Sequence, residues 1–187
     1  MNFDHYTDPC VDFAVDLINA FATEPLEASG AGPAPRAELS EVLEAHGLDA
    51  RDIASIDAAS VQRLADQLHE IFVAPRSEQA VAVVNDILRA ARALPQISGH
   101  DDQDWHLHYY AAEATAFERI ATTAAMALAA VICTSGTRRL GRCDGTACRD
   151  VFVDTSRNNR RRFCSDGCAN AVHVAAHRAR RRGRSPT

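Results

Sequence analysis

The stretch CDGTACRDVFVDTSRNNRRRFCSDGCANAVHVAAHRARRR, from Cys143 to Arg182, decides the fold of the C-terminal part of this chain. It holds four of the six cysteines in the 187-residue sequence, spaced as C-x4-C, fifteen residues, and C-x3-C. Two close pairs of thiols are the ligand set of a closed, tetrahedral zinc site. The sequence therefore predicts one structural zinc ion, held by Cys143, Cys148, Cys164 and Cys168.

The alternative, two disulfides or idle thiols, depends on the cellular compartment. The sequence begins without a basic run followed by a long apolar segment, so no signal peptide is expected. No apolar stretch is expected to cross a bilayer either. A reducing, cytoplasmic location follows as an expectation, and clustered cysteines are there metal ligands more often than disulfides. Cys10 and Cys133, which fall on apolar helix faces, are expected to be small buried residues.

The residues between and after the cysteine pairs predict a small zinc finger. DVFVDT and RRRFC are short β-like runs on either side of a turn-rich centre. Ser165 and Asp166 suit the N-cap and first turn of a helix that supplies the last ligand. A turn that carries the first cysteine pair (a zinc knuckle), then a hairpin, then a helix predict a treble-clef-like fold.

Charge is divided unevenly along the chain. The residues from Arg138 onward hold 13 Arg and 4 Asp, a net charge of +9, whereas the first 137 residues hold 7 Arg and 21 acidic residues, a net charge of −14. A basic module attached to an acidic one indicates contact with nucleic acid.

The helix after Cys168 has one face that suits this contact. At about 100° per residue, Cys168, Val172, Ala175 and Ala179 fall on one side, which is expected to pack on the zinc site and hairpin. Asn and Arg side chains on the opposite side suit base edges or phosphates, although a plain solvated face remains the alternative. The candidate nucleic-acid-binding residues are Arg160, Arg161, Arg162, Asn170, His173, His177, Arg178, Arg180, Arg181 and Arg182.

The region before residue 137 is predicted to be mainly helical. A first helix is expected to open at Asp8-Pro9 and to continue to Phe21, with apolar residues spaced for one core-facing stripe. ELSEVLEAHG predicts a short helix that ends at Gly47. Further helices are expected at about 59–73, 78–94 and 111–133. The fold class is therefore mainly α (α+β), with a helical domain at 1–136 and the finger at 137–187.

A β-hairpin is predicted before the last of these helices. Leu94 and Ile97 precede a polar turn, after which Trp105, Leu107 and Tyr109 alternate with polar residues. Two interpretations of the aromatic residues remain open, a small-molecule pocket of the kind a sensor needs or simple filling of the core.

The motifs resemble two known families. Cys143 and Cys148, the segment VFVDTSRNNRRRFCS and the segment CANAVHVAAHRARRR resemble the CGNR zinc finger, whose pattern is a Cys pair, F-x-D-x-S-x-N-x-x-R and W/F-C-S-x-x-x-C-G-N-R. AVDLINAF, ELSEVLEAHGL and VVNDILRAARALPQIS…WHLHY resemble the ABATE domain that precedes this finger. The resemblance implies a stress-responsive transcriptional regulator that binds double-stranded DNA.

The signature is altered in this chain, because C-G-N-R reads Cys168-Ala169-Asn170-Ala171. Asn170 is kept, whereas the Gly and Arg are Ala, so any contact of the family's Arg is either absent or made by Arg178 or residues 180–182. The leading function is a zinc-finger transcription regulator whose acidic domain senses a small-molecule effector or a protein partner. The alternative is a zinc-stabilised module that binds protein or RNA. No nucleophile–base motif and no Gly-rich phosphate loop is present, so an enzyme is not expected.

Overall fold

The computed structural model describes residues 4–22, 36–99, 105–145 and 148–182. Within these ranges the chain forms mostly helices, with two short antiparallel hairpins, as the sequence predicted. The elements in chain order are α1 (Asp4–Phe21), α2 (Arg36–Ala45), α3 (Ala50–Ser55), α4 (Ala58–Val73), α5 (Ser77–Ala90), β1 (Gln96–Ser98), β2 (His106–His108), α6 (Ala116–Ser135), a 3₁₀ turn (Thr137–Arg139), β3 (Leu140–Arg142), β4 (Val151–Val153) and α7 (Asp166–Arg182).

The helical core is built by α1, α4, α5 and α6, each of which turns an apolar stripe inward. Leu17, Leu68 and Leu128 are fully buried where these stripes meet. Side-chain caps define several helix starts: Asp57 accepts from the backbone of Ser60 at the start of α4. Thr115 and Glu118 form a reciprocal capping box at the start of α6. The packing of amphipathic faces, more than local propensity, therefore holds these helices.

The first helix begins earlier than the sequence predicted. α1 starts at Asp4, and Pro9 lies inside it rather than at its first turn. Proline lacks one backbone N–H, and near a helix end this removes a single hydrogen bond. The eighteen-residue helix therefore tolerates Pro9, and its remaining length is fixed by the stripe that contains Leu17.

Helix α6 corrects the expectation that no segment is long and apolar enough to cross a bilayer. Its 20 residues satisfy that test by length and composition, with a mean hydropathy of 1.5 over 18 residues. The helix packs against α1 and α5, and the residues from Ala116 to Leu128 bury a continuous stripe. The part of α6 up to Leu128 therefore belongs to the helical core, and 44% of the 18-residue apolar window is buried.

The predicted hairpin is present, but its aromatic residues do not fill the core. β1 and β2 pair antiparallel, with Ile97 opposite Leu107. Trp105 is 81% exposed and its ring lies over Gly99. Tyr109 and Tyr110 are half-buried. The core-filling interpretation is therefore wrong for Trp105.

The two cysteines outside the zinc finger differ from expectation. Cys133, near the end of α6, is exposed, and Cys10 in α1 is only half-buried. Burial raises the pKa of the Cys10 thiol. Both cysteines line an apolar cavity, and Cys10 also packs against the edge of the helical core.

Strand β4 pairs with a different segment from the one that the sequence indicated. Its partner is β3, which precedes the first cysteine pair, and no strand forms at RRRFC. Gly141 lies opposite Phe152, and a β-carbon at Gly141 would come within 2.5 Å of the Phe152 ring. Any residue other than glycine at position 141 would therefore clash with the Phe152 ring and displace it.

β4 is buried on both faces and joins the finger to the helical domain. Val151 and Val153 pack into the core of the helical domain, whereas Phe152 points the opposite way, as alternation along a strand requires. The Asn19 amide in α1 also accepts from the backbone N–H of Val151 at 2.8 Å and donates to its carbonyl at 3.2 Å. The finger is thus anchored to α1 by both apolar packing and a two-bond amide clamp.

We expect Asn19→Ala to destabilise the whole protein by about 1–3 kcal/mol, because the buried backbone groups of Val151 lose both partners. Chemical denaturation monitored by circular dichroism measures the free energy of unfolding. Asn85→Ala, on the exposed side of α5, is the matched control and should change it by less than about 0.5 kcal/mol. Equal stabilities for the two variants would show that the clamp contributes nothing.

Candidate metal centre and nucleic-acid interface

Four thiols converge from three separate pieces of backbone. Cys143 follows β3, Cys148 precedes β4, and Cys164 and Cys168 flank the start of α7. All four Sγ atoms lie within 4.8 Å of one another. The Cys164 sulfur is 3.6 Å from that of Cys148 and 3.5 Å from that of Cys168. The predicted ligand set is therefore brought together in one cluster.

This geometry fits one structural zinc ion. A tetrahedral ion with Zn–S bonds of about 2.3 Å separates its sulfur ligands by about 3.8 Å, close to the two sulfur–sulfur distances above. A disulfide needs about 2.05 Å between its sulfurs, and all four cysteines are free. Four thiolates leave no open coordination position, so zinc here would hold the fold together and bind no substrate.

The electrostatics of the cluster also call for a cation. Burial is the largest cause that raises the pKa of Cys148 to about 11, and it also raises the pKa of Cys164. Burial acts in the same direction on Cys143, but hydrogen bonds from the backbone of Cys164 and Gly145 outweigh it and lower the pKa of that thiol. Four sulfurs this close cannot all ionise beside one another without compensation. A divalent cation supplies the missing positive charge, and its binding displaces the thiol protons.

Backbone groups fix the positions of the ligands. The N–H of Gly145 points to the Cys143 sulfur at 3.4 Å, and a β-carbon at Gly145 would lie 3.0 Å from that of Cys148. The Ser165 hydroxyl accepts from the N–H of Cys168 at 3.3 Å and caps the first turn of α7. The N-cap role predicted for Ser165 is therefore confirmed.

A buried carboxylate organises the loop between the cysteine pairs. Asp154 is 3% exposed and accepts from the backbone N–H groups of Ser156 and Arg161, each at 2.8 Å. Burial alone would raise the pKa of the Asp154 carboxyl, but hydrogen bonds from Ser156 and Arg161 outweigh it and keep this pKa below its usual value. Arg139 completes the loop by donating to the carbonyls of Asp154 and Ser156 at 2.7 and 2.6 Å.

Arg161 acts as an internal clamp of the finger. Its guanidinium lies 4.8 Å from the centre of the Phe152 ring. It donates to the carbonyls of Phe163 (2.9 Å), Cys164 and Val153 (3.5 Å). The Phe152 ring therefore lies between Gly141 and the Arg161 guanidinium. The same guanidinium donates to the carbonyl of Cys164 and so fixes the backbone of the third zinc ligand. Three of its five N–H donors are thus used inside the finger, and the assignment of Arg161 to DNA phosphates stays a prediction.

The two arginines beside it differ from Arg161 and from each other. Arg162 forms an ion pair with Asp144 at 2.7 Å and lies over the Phe163 ring. The exposed Arg160 side chain makes no hydrogen bond or ion pair with any residue that the structure describes. Of the three predicted phosphate contacts, Arg160 is therefore the one whose charge is fully available.

Helix α7 is uncovered for most of its length. Asn170, His173, His177 and Arg178 are exposed, as predicted, and the edge of the His173 ring approaches Phe163 with centroids 6.3 Å apart. Val172 is half-buried, but Ala175 is exposed, so the face expected to pack on the hairpin does so only in its first turns. Arg180, Arg181 and Arg182 belong to α7 by their backbone, and their side chains lie outside the described set.

Two residues that shape the site escaped the sequence reasoning. The role of Asn19 could have been suspected from the sequence, because Asn19 is a polar residue inside the apolar run VDLINAF. Nothing in the sequence indicated the role of Gly141, since the Phe152 ring that it accommodates is eleven residues away along the chain. Both act through contacts that exist only after the chain has folded.

Two family models match the chain. The CGNR zinc finger matches residues 139–181. The ABATE family, described as "Putative stress-induced transcription regulator", matches residues 9–135. No curated protein matches the chain. Phe152, Asp154, Ser156 and Arg161, which stand at the F, D, S and R positions of the finger's pattern, are the residues that organise the loop.

We expect one zinc ion per chain in the purified protein and none in Cys164→Ser, because three thiols leave the tetrahedral shell incomplete. Cys133→Ser removes a thiol outside the cluster and is the matched control, which should retain full zinc. Elemental analysis measures the metal, and limited proteolysis should cut Cys164→Ser between residues 154 and 182 first. Stoichiometric zinc in Cys164→Ser would contradict this ligand set.

We expect Arg161→Ala to destabilise the finger by about 2–4 kcal/mol, because several carbonyls and one aromatic ring lose their partner together. Arg160→Ala removes the same charge from the adjacent residue and should leave the free energy of unfolding unchanged within about 0.5 kcal/mol. Thermal unfolding and the rate of zinc transfer to a chromogenic chelator distinguish the two variants. The same stability loss in both would contradict the clamp.

Proposed function

Because the chain belongs to the ABATE family and ends in a CGNR zinc finger, we propose that it is a transcription regulator that binds double-stranded DNA through α7 and responds to stress. The description of the family as transcription regulators supports the general role. Contact with DNA and the response to stress are the steps that the proposal adds. The protein is proposed to act in the cytoplasm.

The exposed helix α7 is the observation that carries the proposal. The zinc cluster and the Ser165 cap fix its first turn, and the side chains from His173 to Arg178 then face solvent with little cover. The major groove of B-DNA admits a single α-helix. A helix whose first turn is fixed and whose remaining polar surface is exposed, as in α7, can enter the major groove in one defined orientation.

Charge supports the same surface. Arg157, Arg160 and Arg178 are exposed, and their side chains have no partner among the described residues. Their guanidinium groups can contact phosphates without first breaking an internal ion pair, in contrast to Arg162. Such contacts release counterions, so the affinity should fall as salt rises.

We propose that Asn170 contacts the bases, and the altered signature supports this choice. Ala169 is half-buried and Ala171 is exposed, so neither replacement disturbs the zinc cluster. Asn170 is exposed between them, two residues beyond Cys168, and an Asn side chain can pair with both polar atoms of an adenine edge. With no Arg at residue 171, the other base contacts fall to His173 and His177.

A second candidate function is a zinc-stabilised module that binds protein or RNA. The observation that favours it is Val174, which is 47% exposed on α7 among small residues. An apolar residue in the middle of a basic helix suits a protein groove better than a phosphate backbone. Loss of duplex binding at every salt concentration would select this candidate.

The protein is proposed not to be an enzyme. A zinc ion with four thiolate ligands has no position for a substrate or a water molecule. The apolar cavity between α1, α6 and the β1–β2 hairpin is lined by no Asp or Glu among the described residues, so it offers no carboxylate pair. These features favour binding functions in both parts of the chain.

We expect zinc-loaded protein to select a preferred sequence from a random duplex pool, and Asn170→Ala and Arg178→Ala to differ in their effects on it. Asn170→Ala should cost about 1–3 kcal/mol on the selected duplex and little on random DNA, because base contacts discriminate. Arg178→Ala should weaken binding to every duplex and reduce the slope of log K against log salt by about one unit. Fluorescence anisotropy over a salt series measures both.

Arg142→Ala, in β3 rather than in α7, is the control that removes one charge from the same module. It should leave sequence discrimination unchanged. If wild-type protein binds no duplex even at low salt, the regulator proposal fails. If Asn170→Ala discriminates between sequences as well as wild type does, Asn170 contacts no base. If wild type and Asn170→Ala both bind every sequence equally well, the finger is a non-specific anchor.

A further inference from the structure

An apolar cavity of about 260 Å³ lies between the hairpin and two helices of the acidic domain. α6 forms its longest wall with a run of small residues that leaves the space open. The end of β2 and the following loop form the second wall, and α1 contributes Cys10. The lining residues are Cys10, Leu107, His108, Tyr109, Tyr110, Thr123, Met126, Ala127, Ala129, Ala130, Cys133 and Thr134.

No Asp, Glu, Lys or Arg lines this cavity. The neighbouring, more polar cavity shares Cys10, Tyr110 and Thr123 with it and contains Arg119. Arg119 is already paired with Asp52 and donates to the carbonyl of Ala114 at 3.1 Å. An ionic ligand would therefore lose water without gaining a free counter-charge, which is costly in an apolar site.

The walls carry aromatic surface and two available hydroxyl groups. The His108 and Tyr110 rings meet edge-to-face with centroids 5.3 Å apart, a geometry that leaves ring surface for a third aromatic group. The Tyr109 and Tyr110 hydroxyls form no hydrogen bond with any described residue, and neither is among the fully buried unpaired atoms. They can thus donate to, or accept from, one polar group on a ligand.

The size of the space limits the ligand. A dry cavity of about 150 Å³ holds benzene, so about 260 Å³ accommodates roughly ten non-hydrogen atoms by the same scaling. Apolar pockets with a few polar groups are the usual form of small-molecule sites. The dimensions correspond to one fused bicyclic ring system with a small substituent.

We propose that this cavity binds an uncharged aromatic molecule of about this size that carries one hydroxyl or similar polar group. The aromatic body lies against α6 and the His108–Tyr110 pair, and the polar group bonds to a tyrosine hydroxyl. The site is distinct from the zinc finger, and ligand binding does not require the proposed contact with DNA.

Calorimetric titration of the zinc-loaded full chain tests the proposal, with 1-naphthol as the probe. 1-Naphthol should bind saturably, and 1-naphthalenesulfonate, which has the same ring system with a charge, should bind at least tenfold more weakly. Ala130→Phe fills the cavity and should abolish binding, whereas Ala82→Phe, on the exposed side of α5, should leave it unchanged. No binding to wild type, equal binding of the charged probe, or full binding to Ala130→Phe would each overturn the proposal.

Two further measurements do not depend on the folding of Ala130→Phe. Tyr109→Phe combined with Tyr110→Phe should weaken 1-naphthol about two- to tenfold, the range for one lost hydrogen bond, and leave naphthalene unaffected. Saturating 1-naphthol should also slow the alkylation of Cys133 by iodoacetamide, mapped by mass spectrometry. An unchanged Cys133 rate under saturation would place the ligand elsewhere and overturn the assignment. Because these readouts need no DNA, they are independent of the regulator proposal.

Discussion

The burial of strand β4 on both of its faces is the constraint on which the arrangement of the two domains depends. A three-residue strand in a two-stranded sheet has little stability of its own. Here Val151 and Val153 complete the helical core, while Phe152 fills the finger between Gly141 and Arg161. The same three residues therefore stabilise two structures, and neither can lose the strand without exposing apolar surface. Zinc, whose ligands Cys143 and Cys148 lie in the connection between β3 and β4, therefore acts on the stability of both the finger and the helical domain.

The division between structural and available arginines follows from the same contacts. The sequence shows only that residues 160–162 are three consecutive Arg. In the fold, Arg161 bonds to carbonyls on both sides of the third zinc ligand, Arg162 pairs with Asp144, and Arg160 remains available. The number of consecutive arginines thus overstates the positive charge that the finger has available for an external anion. The cations best placed for phosphates are those that no carbonyl, ring or carboxylate already occupies.

The features that could be predicted from the sequence are those that depend on residues close to one another along the chain. The zinc ligands were identifiable because short loops between cysteines favour closing one site, and α4 and α5 because their apolar stripes repeat at helical spacing. The partner of β4 was missed, since Leu140–Arg142 contains no alternation and is recruited by pairing alone. The exposure of Trp105 and Cys133 was also missed, because apolar composition cannot tell a packed surface from the rim or wall of a cavity.

Helix α1 connects the cavity to the zinc finger through a rigid path. Cys10 lines the cavity and Asn19 holds Val151, nine residues or about 14 Å away along one helix. A ligand shifts an equilibrium only if it favours one state over another. A rotation or shift of α1 would move the cavity wall and the Asn19 clamp together, so a ligand that favoured one position of α1 would also act on β4. β4 is followed by the loop in which Arg161 bonds to the carbonyls of Phe163 and Cys164, and α7 begins directly after that loop. Such a ligand would therefore change the orientation of α7.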